Sequence, residues 1–265
     1  MTILRSGILT VSIIILSIII ITMTIPSISI EKSGIAIKNH SAYSQSYPAT
    51  AAGVTLADFN FAAAGDWGCN SNTDKNVQSI LSKESELVLG LGDYSYETDA
   101  DCWLETISPV NDRMKISIGN HDSDEEEGPE ITVQLLDHFK LNKQYYSFNK
   151  GNVFFLVMST QDSYSKNSEQ FNFVKQELEK ASKDPNIDWI VVYYHKPIYT
   201  SSTKHAGLTS FRDIYHPLFD QYKVDLVLAG HNHNYQRSFP LQFNEADSDK
   251  PIEFAISTNG FLASF

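Results

Sequence analysis

Short apolar runs alternate with helical spacings from residue 58 to the end of the chain. Each apolar run has the length of a buried strand, and between the runs apolar residues recur every three or four positions, as on one face of a helix. The predicted strands cover residues 59–64, 86–91, 114–118, 189–194, 224–229 and 252–257. The predicted helices cover residues 73–85, 101–107, 129–140, 168–181 and 209–222. Strands that alternate with helices indicate an α/β sheet domain.

Two further strands are predicted as a hairpin. Residues 145–148 and 153–158 are separated by Asn149-Lys150-Gly151-Asn152, which is a turn-forming sequence. A hairpin adds an antiparallel pair to a domain whose other connections run through helices. The sequence therefore predicts a mixed sheet.

Polar side chains follow five of the predicted strands at their carboxyl ends, where open α/β sheets place their ligands. The five motifs are Gly65-Asp66-Trp67-Gly68, Gly92-Asp93-Tyr94-Ser95-Tyr96, Gly119-Asn120-His121-Asp122, His195 and Gly230-His231-Asn232-His233. Taken singly, an Asp after a Gly is typical of a turn and a lone His of a buried core position. Taken together, carboxylate, amide and imidazole donors suit Fe, Mn or Zn. We therefore predict a two-metal site with Asp93 at its centre, built from Asp66, Asp93, Asn120, His195, His231 and His233.

The series of motifs resembles the signature of the calcineurin-like metallophosphoesterases, and more narrowly that of the purple acid phosphatases. The narrower resemblance depends on Tyr96, which stands three residues after Asp93. The resemblance extends over about residues 58–237 and implies a four-layer α-β-β-α sandwich with two central mixed sheets.

The resemblance also implies an activity, the hydrolysis of phosphate monoesters at a dinuclear metal centre. A metal-bound hydroxide would attack phosphorus, since binding to a metal lowers the pKa of water. The ferric ion would be held by Asp66, Tyr96 and His233, and the divalent Fe, Zn or Mn by Asn120, His195 and His231. Asp93 would bridge the two ions.

Three more residues receive roles from the resemblance, and a fourth departs from it. His121 is similar to the family's substrate-facing histidine, which binds phosphate and can protonate the leaving group. Asp122, where the family often has Glu, would orient His121. His205 is similar to a second substrate-pocket histidine, with a solvated loop histidine as the alternative. Gln236 departs from the Glu that is common at its position.

Two other functions stay open at this point. One is a phosphodiesterase or nucleotide hydrolase of the same superfamily, and the other is a surface metal-binding module with weakened catalysis. A net charge of −12 argues against a nucleic-acid partner, because a phosphate backbone needs a basic surface. We expect a small phosphorylated substrate.

The amino terminus predicts export. Residues 7–25 are almost wholly apolar and follow Arg5, and their length matches the roughly 17–25 residues of a membrane-spanning helix. We interpret residues 1–30 as a membrane anchor or a cleaved signal peptide, and favour the anchor. Residues 31–57, which contain a glycosylation sequon at Asn39, are predicted to be a linker. Residues 58–265 are predicted to be the catalytic domain, lying outside the cell as an anchored or secreted protein.

Three further features of the sequence are its two cysteines, an acidic run and the carboxyl end. Cys69 and Cys102 each lie shortly after a candidate ligand motif, and an exported protein permits a disulfide between them. Free thiols and thiolate ligands are the alternatives, although the two residues lack a CxxC spacing. The acidic run 124–127 is interpreted as a solvated face. The alternative is that it disfavours highly anionic substrates or binds a cation near the mouth of the site. The chain ends soon after His233, so we expect a minimal domain or a shortened carboxyl end with an exposed sheet edge.

Overall fold

The computed structural model describes residues 59–123, 131–202, 204–238 and 241–243, and the backbone alone of Glu130 and residues 253–256 and 263–264. The predicted amino-terminal segment, the linker with its sequon, and the acidic run lie outside the described residues. Within the described part of the chain, no helix is long and apolar enough to cross a membrane.

The described strands form two sheets. They are Phe61–Ala64 (β1), Leu87–Gly90 (β2), Met114–Ile116 (β3), Tyr146–Lys150 (β4), Val153–Val157 (β5), Trp189–Tyr193 (β6), Leu226–Ala229 (β7), Gln236–Arg237 (β8), Glu253–Ile256 (β9) and Ala263–Ser264 (β10). The first sheet has the order β10-β1-β2-β3 and the second the order β4-β5-β6-β7-β9-β8. Neighbours pair in parallel except β10 on β1, β4 on β5 and β8 on β9, which are antiparallel. Both sheets are therefore mixed, as predicted.

The described helices agree with the predicted ones to within a few residues at each end. They are Ser71–Ser82 (α1), Asp101–Thr106 (α2), Glu130–His138 (α3), Glu169–Ala181 (α4) and Thr209–Gln221 (α5). Two of them begin at a side-chain cap, since Asn70 accepts a hydrogen bond from the Asn72 N–H and Ser168 accepts one from the Phe171 N–H. The sequence did not predict the 3-10 helix Ser108–Arg113 or the short strands β8 and β10.

Alternation of side chains along the strands builds three hydrophobic cores in the described part of the chain. In β1, Phe61 and Ala63 face the second sheet, whereas Ala62 and Ala64 face the helices of the first sheet. One core lies between the two sheets, one between the first sheet and α1 to α3, and one between the second sheet and α4 and α5. Both faces of each sheet are covered, which explains why the strands β1, β2, β5, β6 and β7 are apolar throughout. This arrangement is the predicted four-layer α-β-β-α sandwich.

The carboxyl ends of the central strands from the two sheets meet at one seam. Beyond β1, the Asp66 N–H donates to the Gly92 carbonyl at 2.9 Å. Across the seam, Nδ1 of His195 lies 2.7 Å from the Leu91 carbonyl oxygen. A Cβ atom on Gly230 would lie only 2.7 Å from that same oxygen, so the second sheet approaches the first through a residue without a side chain. The loops carrying the candidate ligands are thereby packed against one another.

A disulfide closes one side of this seam and confirms the predicted pairing. Cys69, after β1, is bonded to Cys102 at the start of α2, with the two Cα atoms 5.9 Å apart. Beside it, the fully buried Trp103 ring lies 4.2 Å from the Tyr94 ring and 6.1 Å from the Trp67 ring, measured between centroids. The bond thus fixes the two loops that follow β1 and β2.

Removal of this disulfide should lower stability measurably. Because the bond closes a loop with a sequence separation of 33 residues, loss of the cross-link is expected to cost about 3–4 kcal/mol of unfolding free energy. Denaturant unfolding of the protein with and without reductant measures this change. A Cys69→Ala, Cys102→Ala double variant is the control, and reductant should leave it unchanged. Native protein whose two thiols react freely with a thiol reagent would contradict the assignment.

Candidate metal centre

Five of the predicted ligand residues have left-handed backbone conformations. Their φ angles are Asp66 54°, Asp93 58°, Tyr96 57°, His231 76° and His233 48°. A non-glycine residue in this region costs on the order of 1–3 kcal/mol and persists only where the surroundings enforce it. Such strain concentrates at functional sites, and here it turns ligand side chains of separate loops toward one point.

One group of donors lies around the Tyr96 phenol. Its Oη atom is 3.3 Å from Asp66 Oδ1, 3.3 Å from Asp93 Oδ2 and 3.2 Å from His233 Nε2. His233 Nε2 is in turn 3.2 Å from Asp66 Oδ1. Four side chains from three separate motifs therefore converge within hydrogen-bonding distance.

A second group lies around His195, which is fully buried. Its Nε2 atom is 3.1 Å from Asn120 Oδ1 and 3.1 Å from Asp93 Oδ2. One ligand atom from each of Asp93, His195 and His231 lies within 4.8 Å of the others. Asp93 Oδ2 belongs to both groups, so its carboxylate stands between them. The structure brings together all seven residues that the sequence nominated as ligands.

Hydrogen bonds to the backbone fix the directions of these donors. The Leu91 carbonyl accepts from Nδ1–H of His195, which leaves Nε2 of that ring available to a cation. The His121 N–H donates to Asp93 Oδ1 at 2.9 Å, and the His231 N–H donates to Asp66 Oδ2 at 2.9 Å. In each carboxylate one oxygen is held by the backbone and the other faces the cluster.

Asp122 anchors the loop after β2, which carries Asp93. Its buried carboxylate accepts three backbone hydrogen bonds, from Asp93 N–H at 2.7 Å, Tyr94 N–H at 2.8 Å and Gly119 N–H at 2.8 Å. A Cβ atom on Gly119 would lie 2.1 Å from Asp93 Oδ1, so only glycine fits there. The sequence assigned Asp122 to the orientation of His121, which stays a prediction; its anchoring of Asp93 was not foreseen.

The charges of the cluster favour a cation. Asp66 and Asp93 are 2% and 1% exposed, and buried charges need partners. Burial opposes ionisation of Asp93, but the charge and hydrogen bond of His195 hold the pKa of Asp93 at about 2. Burial likewise opposes protonation of His195, yet Asp93 raises the pKa of that ring to about 9. Positive charge is therefore favoured between Asp93 and His195.

Burial and neighbouring charges also shift the pKa values of Tyr96 and His231. Burial, followed by the charges of Asp66 and Asp93, raises the pKa of the Tyr96 phenol far above its usual range. Burial and the neighbouring His195 and His205 rings lower the pKa of His231 to about 3, so this ring is neutral and can act as a ligand. A set of carboxylate, amide and phenol oxygens together with neutral imidazoles fits iron, zinc or manganese.

A cleft of about 440 Å³ opens over the cluster. Its lining residues are Asp93, Asn120, His121, Lys196, Lys204, His205, Ala206, His231 and His233. The His121 ring lies 4.5 Å from the Tyr96 ring, and the His205 ring lies 4.4 Å from the His231 ring, measured between centroids. Both histidines that the sequence assigned to substrate therefore lie in the cleft. Sequence reasoning missed Lys196 and Lys204, although each is directly next to a nominated histidine.

Gln236 connects the loop that carries His205 to the chain that follows His233. Its Oε1 atom accepts from the Ser201 N–H at 2.9 Å and from the Thr200 hydroxyl at 3.3 Å. Thr200 Oγ1 also accepts from Nδ2 of Asn232 at 2.6 Å. A glutamate at 236 could accept the same two hydrogen bonds. The glutamine found here in place of the family's glutamate therefore keeps the link to Thr200 and Ser201.

Comparison with known proteins places these motifs in a family. A model of the calcineurin-like phosphoesterases matches residues 59–235. Purple acid phosphatase 15 of Arabidopsis thaliana is 26% identical over 238 residues, which cover 75% of this chain and 44% of that protein. Phosphoenolpyruvate phosphatase of Allium cepa is 27% identical over 209 residues, which cover 70% of this chain and 43% of that protein. The chain thus spans less than half the length of these two relatives.

Solved structures agree in fold. The purple acid phosphatase PPD1 from yellow lupin (Lupinus luteus) seeds superposes with a TM-score of 0.67 at 20% identity, over 75% of this chain and 43% of that one. A dimetal phosphatase from Danio rerio gives a TM-score of 0.53 at 13% identity, over 78% of this chain and 91% of that one. Since the family match covers more than half of the chain and includes all five motifs, the chain belongs to the calcineurin-like phosphoesterase family.

Proposed function

We propose that this chain hydrolyses phosphate monoesters at a dinuclear metal centre, in the manner of a purple acid phosphatase. One observation carries the proposal: a single oxygen, Oδ2 of Asp93, lies within 3.3 Å of Tyr96 Oη and within 3.1 Å of His195 Nε2. A carboxylate shared between two groups of donors is what a bridging ligand requires. The family membership and the purple acid phosphatase relatives support the same reaction class.

The residues around Asp93 divide into two ligand sets. We assign a ferric ion to Asp66, Tyr96 and His233, and a divalent Fe, Zn or Mn to Asn120, His195 and His231. The donor set supports the ferric assignment, because a phenolate and a carboxylate are anionic oxygen donors that suit a highly charged cation. When bound, the two metals would supply an activated water molecule and neutralise the charge of the phosphate.

The other residues of the cleft act on the substrate directly. His121, whose ring lies beside the Tyr96 ring in the cleft, is suited to bind the phosphate and to donate a proton to the leaving-group oxygen. Burial and the charge of Lys204 lower the pKa of His205, so we assign this ring a neutral hydrogen-bonding role toward the phosphate. Asp122 and Gly119 hold Asp93 in place and do not contact the substrate in this proposal.

The proposal includes an extracellular location. We infer that residues 1–30 direct export, as anchor or signal peptide, that residues 31–57 form a linker and that residues 58–265 form the catalytic domain. The disulfide between Cys69 and Cys102 supports export, because such bonds form and persist in oxidising compartments.

Replacement of the shared carboxylate should weaken metal binding and reduce turnover. In Asp93→Asn we expect bound metal to fall from two ions to one or none per chain. We expect kcat/KM for a phosphate monoester to fall by at least about 10²–10³-fold, as for the loss of a central electrostatic group. Metal analysis and assays with p-nitrophenyl phosphate and bis-p-nitrophenyl phosphate measure these effects, and the wild type should prefer the monoester.

The control is Asp137→Asn, an exposed aspartate on α3 that should leave both quantities unchanged. Full activity of Asp93→Asn would overturn the proposed mechanism. A preference of the wild type for the diester would keep the metal centre but favour the phosphodiesterase alternative.

Tyr96 should give the iron-loaded protein a visible colour. A phenolate on ferric iron produces a charge-transfer band, so we expect a broad visible absorption that disappears in Tyr96→Phe while at least one metal remains bound. Tyr145→Phe removes a phenol that contacts Lys143 rather than the cluster, and should keep the band. Iron-loaded wild-type protein without a visible band would contradict the assignment of Tyr96 as a ligand.

A further inference from the structure

The Thr200 hydroxyl joins two of the loops that form the cleft. It accepts hydrogen bonds from Nδ2 of Asn232 at 2.6 Å and from the Ser202 N–H at 2.9 Å, and it donates to Oε1 of Gln236 at 3.3 Å. A hydroxyl has one donor and two acceptor positions, so all three are used here. One oxygen atom therefore connects the loop after β6 with the chain on both sides of His233.

A second hydroxyl extends this connection to His205. Oγ of Ser202, whose own N–H donates to Thr200, accepts a hydrogen bond from the His205 N–H at 3.4 Å. The ends of the same loop are joined by the Leu208 N–H, which donates to the Pro197 carbonyl at 2.8 Å. The backbone of His205 is thus two hydrogen bonds away from the Thr200 hydroxyl.

The His205 ring depends on this backbone for its place in the cleft. The residue lines the cleft, and its ring centroid lies 4.4 Å from that of His231. In the proposed function the His205 ring forms a hydrogen bond with the phosphate, and a displacement of about 1 Å is enough to weaken such a contact. A constraint on residues 200–205 is therefore a constraint on phosphate binding.

The ligand loop after β7 has supports that do not involve Thr200. The His231 N–H donates to Asp66 Oδ2 at 2.9 Å, and His233 Nε2 lies 3.2 Å from Asp66 Oδ1. Both contacts tie the ligand loop to the first sheet. Loss of the Thr200 hydroxyl should therefore release the loop that carries His205 and leave the proposed metal ligands in place.

We propose that Thr200 is a positioning residue for phosphate binding. Its hydroxyl holds the loop after β6 on the ligand loop after β7, and Ser202 passes this constraint on to His205. This inference rests on the proposed function, in which His205 forms a hydrogen bond with the phosphate. Thr200 acts through His205 and does not contact the phosphate. Substrate affinity is thereby tied to the loop that carries two of the proposed metal ligands.

Removal of the Thr200 hydroxyl should change KM and not kcat. In Thr200→Val we expect KM for p-nitrophenyl phosphate to rise by about fivefold to tenfold, as for one lost hydrogen bond, while kcat changes by less than about twofold and the metal content stays that of the wild type. Thr200→Ser keeps the hydroxyl and should behave as the wild type. The matched control is Thr106→Val, which removes a half-buried hydroxyl that donates to the Cys102 carbonyl on α2, and it should leave KM unchanged.

A double-mutant cycle with His205→Ala separates the positioning of His205 from a general loss of structure. The cycle is measured by calorimetry with inorganic phosphate on the metal-loaded full chain. Thr200→Val should raise Kd by about fivefold to tenfold when His205 is present, and by a factor of about one in the His205→Ala background. Ser202→Ala removes the second hydroxyl and should give the same pattern, so it provides the cycle if Thr200→Val does not fold.

The positioning role is overturned if Thr200→Val raises Kd equally in both backgrounds, leaves phosphate binding unchanged or lowers the metal content. A Thr200→Ser variant as impaired as Thr200→Val would also overturn it, since the hydroxyl would then not be the cause. Protein that shows the coupling in phosphate binding but hydrolyses no phosphate ester would overturn the proposed function and leave the positioning role in place. Hydrolysis without the coupling would overturn the positioning role alone, and a wild type that binds no phosphate would overturn both.

Discussion

The burial of the Asp93 carboxylate is the constraint on which the site depends. An ionised group that is 1% exposed needs partners on all sides. It has the His121 N–H on one oxygen, and on the other oxygen His195 and Tyr96. These partners come from three loops and from both sheets. The position of this one carboxylate therefore depends on the correct packing of the loops of both sheets against one another.

The layered fold provides that assembly. Each sheet has apolar side chains on both faces, and the three cores hold the strands whose carboxyl ends meet at the seam. Five left-handed residues at the site each cost on the order of 1–3 kcal/mol, so the site stores strain that the cores must offset. Asp122 contributes directly, because its three backbone hydrogen bonds hold the loops after β2 and β3 together. Asp122 is thus important for the geometry of the centre without being one of its proposed ligands.

The sequence predicted the elements well because its signals are local. Apolar runs of strand length and helical spacings identified the secondary structure. The motifs at strand ends identified six of the residues that the structure brings together, and the family resemblance added the seventh, Tyr96. The short strands β8 and β10 were not predicted, since two residues carry no periodicity. The left-handed conformations of Asp66 and His233 were not predicted either, because tertiary contacts enforce them. Two further features could not be predicted from the sequence, because each depends on residues far away in the chain. They are the anchoring role of Asp122 and the position of Lys196 in the cleft.

The most direct test of the account is a metal titration of the purified chain with turnover as the readout. Protein stripped of metal by a chelator should hydrolyse p-nitrophenyl phosphate no faster than the buffer does. Addition of iron together with zinc or manganese should restore activity, with a break at two ions per chain. Full activity in the stripped protein, or saturation at a single ion, would contradict a dinuclear centre built around Asp93.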